Sequence, residues 1–229
     1  MAVAVTGKLV GAGRNADVYE AGAGRVLRRY RDGRSAAWVA REAEVMVHAR
    51  AHGAPVPEVL EVAGSDIVME RADGPTMLDT LGRRPWTLRA HATLLARLHA
   101  VVHAVPALDW LPAPFGDVDG AQVLLHRDLH PQNVILTADG PRIIDWEGAA
   151  RGPAAADVAM TWVIVRFSNI PETGLKAAIM RAMQASFTSS FLRAAGSLDQ
   201  RWRSVAIRHR LTDSNLLPPE RARLERLPR

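Results

Sequence analysis

The chain has 229 residues, 48% of them apolar, and a formal net charge of +5 carried almost wholly by arginine, since only Lys8 and Lys176 are lysines among 29 basic residues. That length accommodates one large domain or two small lobes, and no uncharged apolar run of the roughly eighteen residues a membrane span needs is present. Cysteine is absent, which excludes disulfides, thiolate metal sites and a cysteine nucleophile; the N-terminus lacks a basic region followed by a long apolar stretch, so a cytoplasmic protein is expected.

Three β-like runs open the chain: Leu9-Val10, Asp17 to Glu20 and Val26 to Tyr30. Gly11-Ala12-Gly13 and Gly22-Ala23-Gly24 separate them, which predicts two hairpin-like connections and an antiparallel sheet. Ser35 is placed to cap a helix running to about Ala51, with Trp38, Val39, Ala43, Val45 and Met46 on its apolar side and Gly53 closing it. Val59 to Val62 and Ile67 to Glu70 complete the sheet, and Asp73-Gly74-Pro75 breaks the pattern as a hinge. From Thr87 to about His103, Leu88, Leu94, Leu95, Leu98, Val101 and Val102 recur at helical spacing. Beyond Pro153 the pattern is helical over 154–168, 172–194 and 199–210, followed by a break at Pro218-Pro219 and a charged tail. The expectation is an α+β chain, with an antiparallel sheet plus one helix over 1–72 and a mainly helical part over 73–229.

The chemistry concentrates in His126-Arg127-Asp128-Leu129-His130-Pro131-Gln132-Asn133 and in Ile143-Ile144-Asp145-Trp146. An Asp followed five residues later by an Asn, then by a second Asp behind an apolar strand, is the pattern of nucleotide-dependent phosphoryl transfer. There one carboxylate orients the attacking hydroxyl, while an amide oxygen and a second carboxylate hold Mg²⁺. Asp128 is therefore the candidate catalytic residue, and Asn133 and Asp145 the candidate metal ligands, hard oxygen donors for a hard cation. Gly11 and Gly13 are candidates for a loop whose backbone N–H groups approach phosphates. Glu147 reads as a polar strand-end residue.

These motifs resemble those of the aminoglycoside phosphotransferase/choline kinase-like group of small-molecule kinases. The resemblance runs from about Val10 to about Val165 and rests on "HRDLHPQNVIL" and "IIDWEGAARGPAAADVA". His130 and Trp146 favour this group over protein kinases, although Arg127 replaces the group's usual glycine. The resemblance implies a bilobal protein kinase-like fold, with a nucleotide-binding N-lobe (1–72) and a C-lobe (73–229) that carries the catalytic loop, metal site and acceptor region. It implies ATP or another nucleoside triphosphate and Mg²⁺ as cofactors, and a small-molecule hydroxyl acceptor. Such folds carry a lysine on the third strand, paired with a helix glutamate. Here the strand reads Val26-Leu27-Arg28-Arg29-Tyr30, so Arg28 takes the phosphate contact, with Glu42 as its partner and Glu44 as the fallback. Backbone groups of Glu70 and Ala72 would receive adenine, and Asp157 would brace the catalytic loop.

Other patterns carry less. His99 and His103 have zinc-like i, i+4 spacing but no third ligand near them in sequence, and read as buried or helix-end histidines. The C-terminal arginines from Arg201 to Arg229 lack interleaved aromatics and read as a solvated face, not a nucleic-acid surface. From Thr161 onward only Glu172, Asp199, Asp213, Glu220 and Glu225 are acidic, against twelve Arg or Lys. That balance suits a neutral or anionic acceptor better than a polycationic sugar. The leading expectation is an ATP- and Mg²⁺-dependent O-phosphotransferase acting on a hydroxyl of a small molecule, an aminoglycoside-like antibiotic or a metabolite, as a monomer or homodimer. A nucleotide-binding pseudokinase with a regulatory role, its catalysis removed with the missing lysine, is the alternative from another class. Protein-kinase activity is a third, weakened by the absence of D-F-G and of an activation segment.

Overall fold

The computed structural model describes residues 7–13, 15–31, 34–116, 122–170 and 172–227. In chain order these form β1 (Leu9–Ala12), β2 (Ala16–Glu20), β3 (Arg25–Tyr30), α1 (Ala36–Ala51), β4 (Val59–Ala63), β5 (Asp66–Glu70), α2 (Met77–Arg83) and α3 (Leu88–His103). There follow β6 (Val123–Leu125), β7 (Val134–Thr137), β8 (Gly140–Ile143), β9 (Ala150–Gly152), α4 (Ala154–Phe167), α5 (Gly174–Ala195), α6 (Gln200–Leu211) and α7 (Pro218–Glu225). The described residues fall into two compact units, one within Met1–Pro75 and Ile135–Glu147, the other within Thr76–Val134 and Gly148–Arg229.

The first unit is an antiparallel sheet of order β1-β2-β3-β5-β4 with α1 packed on β4 and β5. Its β2–β3 register sets Val18 opposite Arg28, and its β3–β5 register sets Arg28 opposite Ile67. Gly22 and Gly24 turn the β2–β3 connection with positive φ (96° and 69°), a conformation that other residues adopt only under strain. Ser35 caps α1 as expected, its side chain accepting the Trp38 N–H. Leu27, Val39, Met46, Val56 and Ile67 form the buried core. Most of the β7–β8 hairpin belongs to this unit, with Leu136 N–H donating to Pro75 O and Ile143 N–H to Pro55 O. A Cβ at Gly74 would lie 2.1 Å from the Leu136 carbonyl oxygen, so the segment read as a hinge needs glycine for close packing as well.

The second unit is mainly helical. α3 packs on α5, and α4 packs on α5, α6 and α7. Ala156, Ala159, Met160, Val163 and Ile164 of α4 meet Trp202, Ala206, Ile207, Leu216 and Leu224 in one core. The short β6–β9 pair brings the chain into the loop that carries Asp128. Two elements correct the sequence reading. α2 lies in a stretch given no helix, closed at its start by a Thr76–Asp79 capping box in which each side chain satisfies the other's backbone N–H. α7 begins at Pro218-Pro219, where the sequence pattern gives a break and a charged tail, because proline in a first turn lacks only an N–H that the helix leaves unused. Among the described residues no helix is long and apolar enough to cross a membrane.

Candidate active site

Strand pleating sends adjacent side chains of β3 to opposite faces. Arg29 forms a two-pronged ion pair with the fully buried Asp66, Nε to Oδ1 at 2.8 Å and Nη2 to Oδ2 at 2.7 Å. Arg28, on the other face, forks between two carboxylates: Nη1 donates to Glu42 Oε1 at 3.0 Å and Nη2 to Asp145 Oδ1 at 2.6 Å. The Tyr30 hydroxyl, two residues along on the same face, donates to Glu42 Oε2, and the Arg28 guanidinium sits 4.9 Å from the Tyr30 ring centre. Burial opposes the charge of Arg28, but Glu42, Tyr30 and Asp145 outweigh it and hold the guanidinium above its ordinary pKa. Burial pushes the Glu42 carboxyl up against the opposing pull of Arg28 and Tyr30. Glu42 is buried on α1, whereas the fallback, Glu44, is exposed.

Asp145 has φ of +68°, and the buried Trp146 behind it is anchored by its indole N–H on the Ile143 carbonyl at 3.1 Å. Glu147 is more than a strand-end residue. It accepts from Asn15 Nδ2 at 2.6 Å and lies 3.7 Å from Arg34, tying the β1–β2 hairpin to the segment after Asp145. Within that hairpin, Gly11 pairs with Val18 in the sheet, and the Gly13 N–H donates to the Ala16 carbonyl at 2.8 Å, which closes the turn. Arg14, between them and Asn15, lies outside the described residues. Glu70 ends β5, its N–H donating to the Glu58 carbonyl and its carboxylate accepting from Arg50, Arg142 and the Glu58 N–H. Ala72 lies just beyond that strand, half-buried.

In the second unit the loop after β6 is fixed by α4. Asp157, fully buried in the first turn of α4, accepts the backbone N–H groups of His126 at 3.1 Å and Arg127 at 2.6 Å, and His103 Nε2 at 3.0 Å. One turn on, the Thr161 hydroxyl donates to the Leu129 carbonyl at 2.6 Å, so it accepts from His99 Nε2 at 2.9 Å. His99 Nδ1 lies 3.5 Å from Asp157. The third potential ligand that the sequence reading does not find beside His99 and His103 is therefore present, all three donor atoms lying within 4.8 Å of one another. Both oxygens of Asp157 already accept N–H groups, and hydrogen bonding accounts for the cluster as a brace. Burial pushes Asp157 up, but His103 and His99 override it and hold the carboxyl well below its usual range.

Asp128 sits on the loop so braced. Its side chain is 43% exposed, and its N–H donates to His126 Nδ1 at 3.3 Å. His130 accepts the Gln132 N–H at Nδ1, which fixes its proton on Nε2, 3.5 Å from Asp128 Oδ1. Asn133 donates its amide to the Asp128 carbonyl at 2.8 Å and to Asp128 Oδ2 at 3.2 Å. Burial pushes the Asp128 carboxyl up, but the bond and charge of His130, with His126 and Arg210, hold it below its usual value, so it is ionised at neutral pH.

Arg127, expected only to replace a glycine, has φ of +67°, the left-handed conformation that explains why glycine suits the position. Its Nη2 lies 2.9 Å from His209 Nε2 on α6, and the His209 ring packs 5.0 Å from that of Phe115. Burial, then Arg127, hold His209 below its ordinary pKa, so its ring is a neutral acceptor. The sequence reading misses Tyr30, Asp66, Asn15, Thr161 and His209. Tyr30 was open to discovery from its i, i+2 relation to Arg28, whereas His209, 82 residues from Arg127, gives no local signal.

The model of the phosphotransferase enzyme family matches residues 6–119 and 106–207. Among solved structures, aminoglycoside phosphotransferase APH(4)-Ia superposes with a TM-score of 0.62 at 17% identity, over 89% of this chain and 84% of that one. APH(2")-IIa, in a ternary complex with streptomycin and ATP, gives 0.62 at 12% identity, over 91% and 82%. These likenesses establish the α+β fold of that group. A thiamine kinase of Salmonella paratyphi B is 49% identical over 39 residues, 17% of this chain and only 14% of that protein's length. The family match spans most of the sequence, including the loop of Asp128 and the strand before Asp145, and the chain belongs to the phosphotransferase enzyme family.

Proposed function

We propose that this protein is an O-phosphotransferase that moves the terminal phosphoryl group of ATP, or of another nucleoside triphosphate, to a hydroxyl of a small molecule. The observation that carries the reading is the ionised, half-exposed Asp128, oriented by His130 and Asn133 on a loop braced from beneath by Asp157. Asp128 would accept the hydrogen bond of the acceptor hydroxyl and align its oxygen for attack. Phosphoryl transfer of this type depends chiefly on positioning and charge stabilisation.

By their chemistry, Asn133 and Asp145 are hard oxygen donors suited to Mg²⁺. Asn133 directs its amide nitrogen to Asp128, which leaves its carbonyl oxygen for a hard cation, and Asp145 brings carboxylate oxygens. Mg²⁺, when bound, would neutralise charge on the phosphates. Arg28, held by Glu42, would contact phosphate oxygens, Gly11 and Gly13 would keep the β1–β2 turn close to them, and backbone groups of Glu70 and Ala72 would meet the base. On the acceptor side, four of the five carboxylates after Thr161 already have internal partners: Glu172 with Lys176, Asp199 with the Trp202 N–H, Asp213 with Arg210, and Glu220 with the Asn169 N–H. That commitment favours a neutral or anionic alcohol over a polycationic sugar, although a thermostable mutant of APH(4)-Ia binds hygromycin B and APH(2")-IIa binds streptomycin.

A pseudokinase reading draws on one observation, the arginine at the lysine position bonded to Asp145. Nucleotide binding and ADP release, measured with Mg²⁺ across a panel of hydroxylated compounds, separate the two. Acceptor-dependent release that falls about 10²–10⁴-fold in Asp128→Ala is the expected result. Tight nucleotide binding with no turnover on any acceptor supports the pseudokinase, and failure to bind nucleotide overturns both.

A further inference from the structure

The side chain that departs most from the family pattern is also the one that touches a proposed metal ligand. Arg28 is only 14% exposed, and its two terminal nitrogens are committed to different carboxylates, Glu42 at 3.0 Å and Asp145 at 2.6 Å. A lysine at this position would present a single charged nitrogen. An arginine presents a rigid fork that reaches both acids at once and keeps its charge at any ordinary pH. The acid it holds most closely, through Oδ1, is the one the motif assigns to the metal. From this we infer that Arg28 is a built-in counter-cation for Asp145: without nucleotide, its guanidinium stands where a divalent ion would draw on the carboxylate, and it must turn away before the ion is held tightly.

This inference rests on the proposed metal role of Asp145 and goes beyond it, because it makes ion binding conditional on nucleotide. Incoming phosphates offer the guanidinium a new anionic partner, and a guanidinium matches phosphate oxygens bidentately. Once Arg28 moves to them, Asp145 is released. By linkage, a ligand that draws Arg28 from Asp145 strengthens ion binding, and the ion in turn strengthens binding of that ligand. Two cations on one carboxylate repel, so the ordering is electrostatic and needs no movement of the backbone. Glu42 stays as the fixed end of the fork, anchored by the Tyr30 hydroxyl, which lets Arg28 pivot without losing its buried partner.

The test is Mn²⁺ binding to the full chain without nucleotide, followed by the electron paramagnetic resonance of free Mn²⁺. Arg28→Gln alone would strand the buried Glu42, so the informative variant is Arg28→Gln/Glu42→Gln, which removes one charge of each sign and leaves the net charge unchanged. Its melting curve is recorded first, and Arg28→Lys serves as a second variant that keeps the cation but loses the fork. Mn²⁺ affinity about tenfold tighter than wild type in the double variant, at a shift of about 1.4 kcal/mol, is expected. Arg28→Lys should fall between the two, and adding Asp145→Asn should abolish the gain. Equal affinity in wild type and double variant, with binding still dependent on Asp145, overturns the latch and leaves the metal role standing. Binding indifferent to Asp145→Asn in every background overturns the metal role itself, and the latch with it.

Discussion

Arg127 and Asp145 share an unusual backbone and are held in opposite ways. They are the two non-glycine residues with positive φ among the described residues, at 67° and 68°. Around Arg127 the second unit uses its backbone: Asp157 takes the N–H groups of His126 and Arg127, Thr161 takes the Leu129 carbonyl, and the carboxylate of Asp128 is left with the soft contacts of His130 and Asn133. Around Asp145 the first unit uses its side chain, matched by a full positive charge from Arg28. A carboxylate touched by an imidazole and an amide keeps its capacity to accept from an incoming hydroxyl. A carboxylate matched by a guanidinium is already satisfied, and a second cation reaches it only by exchange. The contrast is the one the proposed roles require, Asp128 to orient a hydroxyl and Asp145 to take a cation.

The most severe way to break this contrast is to remove Asp128 and Asp157 in turn. Asp128→Ala should cost about 10²–10⁴ in turnover while leaving the melting curve near that of wild type, because its half-exposed side chain holds little of the structure together. Asp157→Ala should do the reverse first. It orphans two backbone N–H groups and the ring N–H of His103, and urea unfolding should show a loss of about 3–5 kcal/mol. An Asp157→Ala protein as stable as wild type would mean that the loop is fixed by something else.

A smaller effect sharpens the backbone half of the comparison. Left-handed backbone costs a non-glycine residue about 1–2 kcal/mol. Arg127→Ala loses the His209 contact and keeps that cost, whereas Arg127→Gly loses the contact and is relieved of it. Arg127→Gly should therefore be the more stable of the two by about 1 kcal/mol, read from denaturant midpoints. If alanine equals glycine, the positive φ is not a source of strain.

How far the sequence disclosed these arrangements follows from the range of the interactions. Strand alternation separates Arg28 from Arg29, and helical spacing places Glu42 with Val39, Ala43 and Met46 on one stripe of α1, but that Arg28 and Glu42 pair is implied by the family resemblance, not by either pattern. The Asp128, Asn133 and Asp145 spacing is equally local. Partners brought together by the fold are not: Asp66 lies 37 residues from Arg29 and His209 lies 82 from Arg127, with no periodicity to join them. α7 was hidden because a double proline signals both the end of one helix and the first turn of another. The Gly11-Ala12-Gly13 pattern, read as open backbone for phosphates, could not reveal that the Gly13 N–H already closes its own hairpin.

The smallest predicted effect concerns pH and the contact that ties Arg127 to α6. His209 Nε2 can accept from Arg127 only while the ring is neutral, and Arg127, Phe115 and Asp213 are the groups around it. Its folded pKa is depressed below the unfolded value of about 6.5. The folded state therefore binds fewer protons than the unfolded state in the window below 6.5, and the stability present above that pH is lost as the pH falls toward the folded value. One such proton sets a slope of at most about 1.4 kcal/mol per pH unit. His209→Gln keeps an oxygen that can accept from Arg127 but does not titrate, so its stability should decline less steeply between pH 6.5 and 5. The decline should not vanish, because burial also holds His99 below its ordinary value and His99 titrates in both proteins. Parallel slopes for wild type and His209→Gln, measured by urea unfolding at half-unit pH steps, would show that protonation of His209 is not what loosens the loop.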